Sequence, residues 1–138
     1  MYGTILLTLD KTPTDRTIID HVMQLASIMG SRIVLLHVVS SAAAQWLGSQ
    51  TGGAEVDKSQ NYLDQIVAEF QAANIEAEAE LAFGDPVTEI IAWVAKSGCD
   101  LVAMATHGHG FMADMILGTT AINVQHCVHV PVLLLRAK

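Results

Sequence analysis

The chain has 138 residues, 51% of them hydrophobic, and carries a net charge of −7 from 14 acidic and 7 basic side chains. That length fits one folded domain over residues 1–138 with a core of its own. The scattered basic residues exclude general nucleic-acid binding, which needs a basic footprint, and no uncharged apolar run approaches the roughly 18 residues of a membrane helix.

Met1 leads straight into a strand pattern with no basic and apolar leader before it, so a cytoplasmic protein is expected rather than a secreted one. Residues 4–9, Thr4-Ile5-Leu6-Leu7-Thr8-Leu9, read as a buried strand ending at Asp10. Thr14 or Asp15 can cap a helix in which Ile18, Ile19, Val22, Leu25, Ala26 and Met29 recur at helical spacing, and Gly30 ends it. From Ile33 to Val39 the chain is apolar with only His37 inside, the pattern of a parallel strand buried on both faces, and His37 reads as a satisfied core histidine. Residues 40–54 are small and polar with Gly48, Gly52 and Gly53, and predict a long mobile loop with at most a short helical turn around Trp46 and Leu47.

A helix from about Glu55 to Ala73 is expected to bury Tyr62, Leu63, Ile66, Val67 and Phe70. From Ile75 to Leu81 apolar residues alternate with Glu76, Glu78 and Glu80, which describes a strand at the sheet edge whose glutamates are solvated and discourage edge pairing. Asp85 caps a third helix with Pro86 at its first position, and Val87, Ile90, Ile91 and Val94 form its inner face. Asp100 to Ala105 is a fourth strand, Gly118 to about Val128 a fourth helix with Ala121, Val124 and Val128 inward, and Val130 to Leu135 a last apolar strand. Strand and helix alternation implies an α/β fold, with a doubly wound parallel sheet and helices on both faces. Cys99 and Cys127 lie in apolar segments without CxxC spacing and read as reduced, buried packing residues.

The most informative stretch leaves the fourth strand. Ala105-Thr106-His107-Gly108 is followed nine residues later by Gly118-Thr119-Thr120 at the start of a helix. Unpaired N–H groups at a helix N-terminus favour an anion such as phosphate, and glycines let a ligand approach the backbone. There is no Gly-Lys-Ser/Thr, and Gly108-His109-Gly110 is followed by Ala113 where a dinucleotide fingerprint needs glycine. Ligands of such sheets bind beyond the carboxyl ends of the strands, so Asp10, the segment around Val38 and this loop converge if the first and fourth strands are neighbours.

The histidines do not assemble one metal site. His107 and His109 share the loop, while His126 and His129 flank Cys127. A helix of ten residues separates the two pairs by roughly 15 Å, and the later pair suits a helix C-terminus. His21 reads as a surface residue. No catalytic set is evident: Ser40 and Ser41 lack a base partner, and Lys11 is the one basic residue near the loop, so any phosphoryl transfer is expected to be slow.

Taken together, these motifs resemble the universal stress protein family along the whole chain. Its signature G-x2-G-x9-G-[S/T] is met by Gly108, Gly118 and Thr119, with Ala105 in place of the first glycine. Asp10, Leu36-His37-Val38, Gly84-Asp85-Pro86, Asp100-Leu101-Val102, Met104 to Gly108 and Pro131 to Leu134 complete the likeness. The resemblance implies a sheet of order 3-2-1-4-5 with four helices, and a homodimer formed by antiparallel pairing of the strand Val130 to Leu135. It implies binding of ATP or AMP, with Mg²⁺ carried on phosphate oxygens, by Thr8, Leu9, Asp10, Val38, Met104, Ala105, His107, Gly108, Gly110, Gly118, Thr119 and Thr120. Asp10 would contact the ribose, Val38 the adenine pocket, and the glycine loop the phosphates. The function implied is that of a regulatory dimer in stress response, in which the nucleotide orders residues 40–54 and 105–118 for a protein partner. Some family members lack the motif and do not bind ATP, so Ala105 leaves open a nucleotide-free scaffold dimer; a slow ATPase or autophosphorylating protein is the third reading. If the first glycine needs positive φ, alanine there costs about 1–2 kcal/mol; if it needs only a small side chain, alanine is nearly neutral.

Overall fold

Strand β1 (Thr4–Thr8) lies at the centre of a five-stranded parallel sheet of order β3-β2-β1-β4-β5. The computed structural model describes residues 1–106 and 120–137, and for residues 40–55 the backbone alone. After β1 come α1 (Asp15–Met29), β2 (Arg32–Ser40), α2 (Ser41–Ala72), β3 (Ala77–Gly84), α3 (Pro86–Ser97), β4 (Leu101–Thr106), a helix α4 described over residues 120–127, and β5 (Val132–Arg136).

Alternation along the strands divides the core in two. Ile5, Leu7, Leu9, Ile33 and Leu35 pack with Ile18, Ile19 and Val22 of α1 and Leu63, Ile66 and Phe70 of α2. Their neighbours Leu6, Val34, Leu36, Val102 and Met104 face the other way, against Ile90 of α3 and Ala121 and Val124 of α4. Because β1 and β2 are buried on both faces, their sequences are continuously apolar rather than alternating. Asp100 ties the strand starts together, accepting from the amides of Gly3 (3.0 Å) and Thr4 (3.1 Å).

The helix ends follow their local chemistry. Gly30 closes α1 in the left-handed conformation (φ 70°), its amide donating to the carbonyl of Ala26. Gly84 turns the chain from β3 into α3 at φ 137°, where a side chain would be strained. Asp85 then caps α3: the Thr88 amide (3.0 Å) and hydroxyl (2.9 Å) donate to its carboxylate, with Pro86 in the first turn. At the sheet edge, Glu76 and Glu78 of the β3 arm are exposed, and Arg32 of β2 meets Glu78 at 2.6 Å.

Two expectations are corrected. Residues 41–54 are helical and continuous with α2, rather than a loop with a separate helix beginning near Glu55. Ala42, Ala43, Ala44, Gln45 and Leu47 are strong helix formers, and extending an existing helix adds a hydrogen bond per residue without a new nucleus. That gain offsets Gly48, Gly52 and Gly53, each unfavourable by about 1 kcal/mol in a helix. Cys127 is exposed, while Cys99 is buried as expected. Ala121, Val124 and Val128 take the inner face of α4, which leaves Cys127 at the flank of the last helical turn.

The hydrogen bonds from the Thr88 amide and then the Thr88 hydroxyl hold the Asp85 carboxyl below the usual carboxylate range. A lowered folded-state pKa stabilises the protein above the unfolded value of about 3.9, and that contribution disappears as pH falls through the folded value. Asp85→Ala should therefore lower the melting temperature at neutral pH, and the gap to the parent should close in acid. A gap that persists unchanged at low pH, measured by thermal unfolding, would refute the charged-cap account.

Candidate functional site

The carboxyl ends of β1 and β4 open on a crevice of about 210 Å³ lined by Thr8, Leu9, Asp10, Leu36, Val38, Pro86, Ile90, Met104, Ala105 and Thr120. Adjacent parallel strands whose helices cover opposite faces leave such a gap where their chains diverge. Here α1 lies on the face of Leu7, whereas α3 and α4 lie on the face of Leu6. The lining is apolar at Leu36, Val38, Ile90 and Met104 and polar at Thr8, Asp10 and Thr120.

The strand ends are held in place by hydrogen bonds just beyond the sheet. The Leu9 amide donates to the Leu36 carbonyl at 2.9 Å, extending the β1–β2 pairing by one residue. His37 Nδ1 donates to the Leu9 carbonyl at 2.8 Å, which places the ring proton on Nδ1. Leu9 is 3% exposed, so its carbonyl depends on this partner. His37 is thus satisfied structurally, as its place in a buried strand indicates.

Of the residues expected from the sequence, the crevice gathers Thr8, Leu9, Asp10, Val38, Met104, Ala105 and Thr120. His107, Gly108, Gly110, Gly118 and Thr119 lie outside the described residues, as does His109. Ala105 belongs to β4, pairs in register with Leu135, and is not among the described residues with positive φ. Alanine therefore meets no left-handed strain at this position. Leu36, Pro86 and Ile90 also line the crevice and escaped the sequence reading. One spacing could have found Leu36, which lies two residues before Val38 on β2, on the same face; Pro86 and Ile90, four apart on α3, carry no such link to a residue already assigned to the site.

Among the described residues no group of three or more His, Cys, Asp or Glu side chains is placed to hold a metal ion. His126 and His129 are both exposed. No helix among the described residues is long and apolar enough to cross a membrane.

Comparison with known proteins adds a lineage to this geometry. The model of the universal stress protein family matches residues 1–136. A universal stress protein of Methanocaldococcus jannaschii is 20% identical over all of this chain and 97% of its own length. The solved structure of that archaeal protein superposes with a TM-score of 0.84 at 23% identity, covering 100% of this chain and 98% of the other. A universal stress protein in complex with cAMP has a TM-score of 0.72 at 18% identity, over 97% of this chain and 96% of that one. One from Archaeoglobus fulgidus in complex with dAMP has a TM-score of 0.71 at 13% identity, over 96% and 97%.

The Leu9 contact has a measurable consequence. His37→Ala removes the donor and leaves a buried carbonyl unpaired, a loss of about 1–3 kcal/mol. The denaturant midpoint should fall accordingly with an unchanged slope, and an unshifted midpoint would show that His37 does not hold the end of β1.

Proposed function

The chain belongs to the universal stress protein family, and from that premise we propose that the crevice binds an adenine nucleotide, ATP or AMP, as a regulatory ligand. The observation that carries the reading is the convergence of Asp10 from the β1–α1 turn, Val38 from β2, Met104 and Ala105 from β4 and Thr120 from α4 on one largely apolar crevice at the carboxyl ends of β1 and β4. The chemistry of the lining fits: Leu36, Val38, Ile90 and Met104 offer a dry surface for a base, and the Asp10 carboxylate accepts from sugar hydroxyls. The phosphates fall to Thr120 and, on the sequence motif, to His107, Gly108, Gly110, Gly118 and Thr119. Mg²⁺ is carried by the phosphate oxygens, since it keeps its waters and needs few protein ligands. The ordinary strand conformation at Ala105 supports the reading in that alanine carries no left-handed strain there. Complexes of two relatives with cAMP and dAMP support the ligand class.

The reading extends to a homodimer. β5 is an edge strand, apolar in sequence, with Leu134 40% exposed and Ile122 on α4 54% exposed. A second copy that pairs β5 with β5 covers this face and satisfies the edge. Such a dimer, with the nucleotide near α4, gives a stress-response regulator a surface that a partner can read.

Calorimetric titration with AMP and ATP tests the ligand. Micromolar binding is expected, weakened about tenfold in Asp10→Ala by loss of a charge-assisted hydrogen bond, and abolished in Val38→Trp, which fills the crevice. No heat at millimolar ligand, or parent-like binding by Val38→Trp, would overturn the assignment. Sedimentation of Leu134→Glu should show a monomer where the parent sediments as a dimer; equal mass for both would exclude β5 as the interface.

A further inference from the structure

The turn that carries Asp10 is gripped from behind by a buried carboxylate. Asp15, at the start of α1, is 1% exposed. Its Oδ1 and Oδ2 accept from the Asp10 amide at 3.0 and 3.1 Å, and Oδ2 accepts from the Lys11 amide at 2.9 Å. The Tyr62 hydroxyl of α2 donates to the same Oδ2 at 2.7 Å. Burial, and then the bond to Asp15, push the Tyr62 hydroxyl well above its ordinary range, so it remains a donor.

This grip coincides with backbone strain. Lys11 has φ 64°, which non-glycine residues adopt at a cost. Such a conformation persists where the surroundings over-determine it, and here several contacts do. Besides Asp15, Lys11 Nζ donates to the buried Ser59 hydroxyl of α2 at 3.2 Å. Arg16 forms a forked pair with Glu69 of α2, at 2.9 and 3.3 Å. Ser59, Tyr62, Ile66 and Glu69 follow helical spacing, so one face of α2 holds the whole β1–α1 turn. Tyr62 and Ile66, with Lys11, Pro13 and Arg16, line a groove of about 400 Å³ on this side of the sheet. The turn is thus a partition, with Asp10 in the crevice on one side and α2 on the other.

We propose that Asp15, oriented by Tyr62, is the positioning residue of the crevice: it locks the left-handed turn at Lys11 and thereby fixes where Asp10 stands. This deepens the nucleotide reading, because the ligand group it governs is the sugar. The capping bond that Asp15 could have made within α1 is instead spent on the turn; Thr14 occupies the cap position and makes no side-chain cap bond. The Asp15 carboxylate thus links the Tyr62 hydroxyl of α2 directly to the backbone amides of Asp10 and Lys11.

Two measurements separate this proposal from the nucleotide reading. The first uses ligand-free protein, with amide hydrogen exchange followed by NMR. The Asp10 and Lys11 amides should be protected in the parent, about tenfold less protected in Tyr62→Phe, and less still in Asp15→Ala, as expected for losing hydrogen bonds to a charged acceptor. The amides of Leu6 and Leu35 in the sheet report whether each variant keeps its fold. Parent-like protection at Asp10 and Lys11 in folded Asp15→Ala, or an equal loss at Leu6 and Leu35 in Tyr62→Phe, would overturn the proposal. The second compares AMP with 2′,3′-dideoxy-AMP, which lacks both hydroxyls that Asp10 can accept from. Tyr62→Phe should weaken AMP several-fold and leave 2′,3′-dideoxy-AMP unchanged, so that the preference for ribose collapses. Equal weakening of both would mean a general structural role and would also overturn the proposal. If the parent binds neither compound, the nucleotide reading fails, while the exchange result still decides whether Asp15 holds the turn.

Discussion

β1 has to satisfy two cores at once, and the rest of the structure depends on how it does so. Ile5, Leu7 and Leu9 are committed to the α1–α2 side and Leu6 to the α3–α4 side. A one-residue shift would exchange these two sets, each packed against a different pair of helices, so close packing on both faces holds the register. Its carboxyl end is therefore delivered to one place, between β2 and β4, where the helices part and leave a crevice. Every backbone N–H from Leu9 to Lys11 is then engaged, by Leu36 or by Asp15. The end of the strand is thus tied both to the sheet and to the turn behind it.

Much of this organisation was legible from residues. Two-sided apolar runs at Ile5 to Leu7 and Ile33 to Leu36 indicated a parallel sheet, and Asp85-Pro86 marked the start of α3 to the residue. The glutamates around β3 indicated the edge. Order 3-2-1-4-5 came with the family resemblance, and the structure has it. Asp10 and Val38 could be assigned to one crevice because Asp10 follows β1 and Val38 lies near the carboxyl end of β2, its neighbour in the sheet.

Other features could not be read, for identifiable reasons. Leu36 and Ile90 line the crevice but look like any core residue, since an apolar wall and an apolar core have the same composition. Glycines at 48, 52 and 53 argued for a loop over a segment that is helical, because local propensity competes with extension of a long helix. Asp15 looked like a helix cap; its actual partners lie on a preceding turn and on Tyr62, 47 residues away. Cys127 sits in an apolar stretch, yet its position on the turn of α4 decides its exposure.

A crevice lined by apolar side chains and Asp10 thus lies beside a turn held from the opposite face by α2. The most direct measurement is a crystal structure of the protein grown with AMP. The account predicts the base against Val38, Leu36 and Met104, and a sugar hydroxyl within hydrogen-bond distance of Asp10. AMP bound elsewhere, or a crevice filled by neighbouring side chains at saturating AMP, would contradict it.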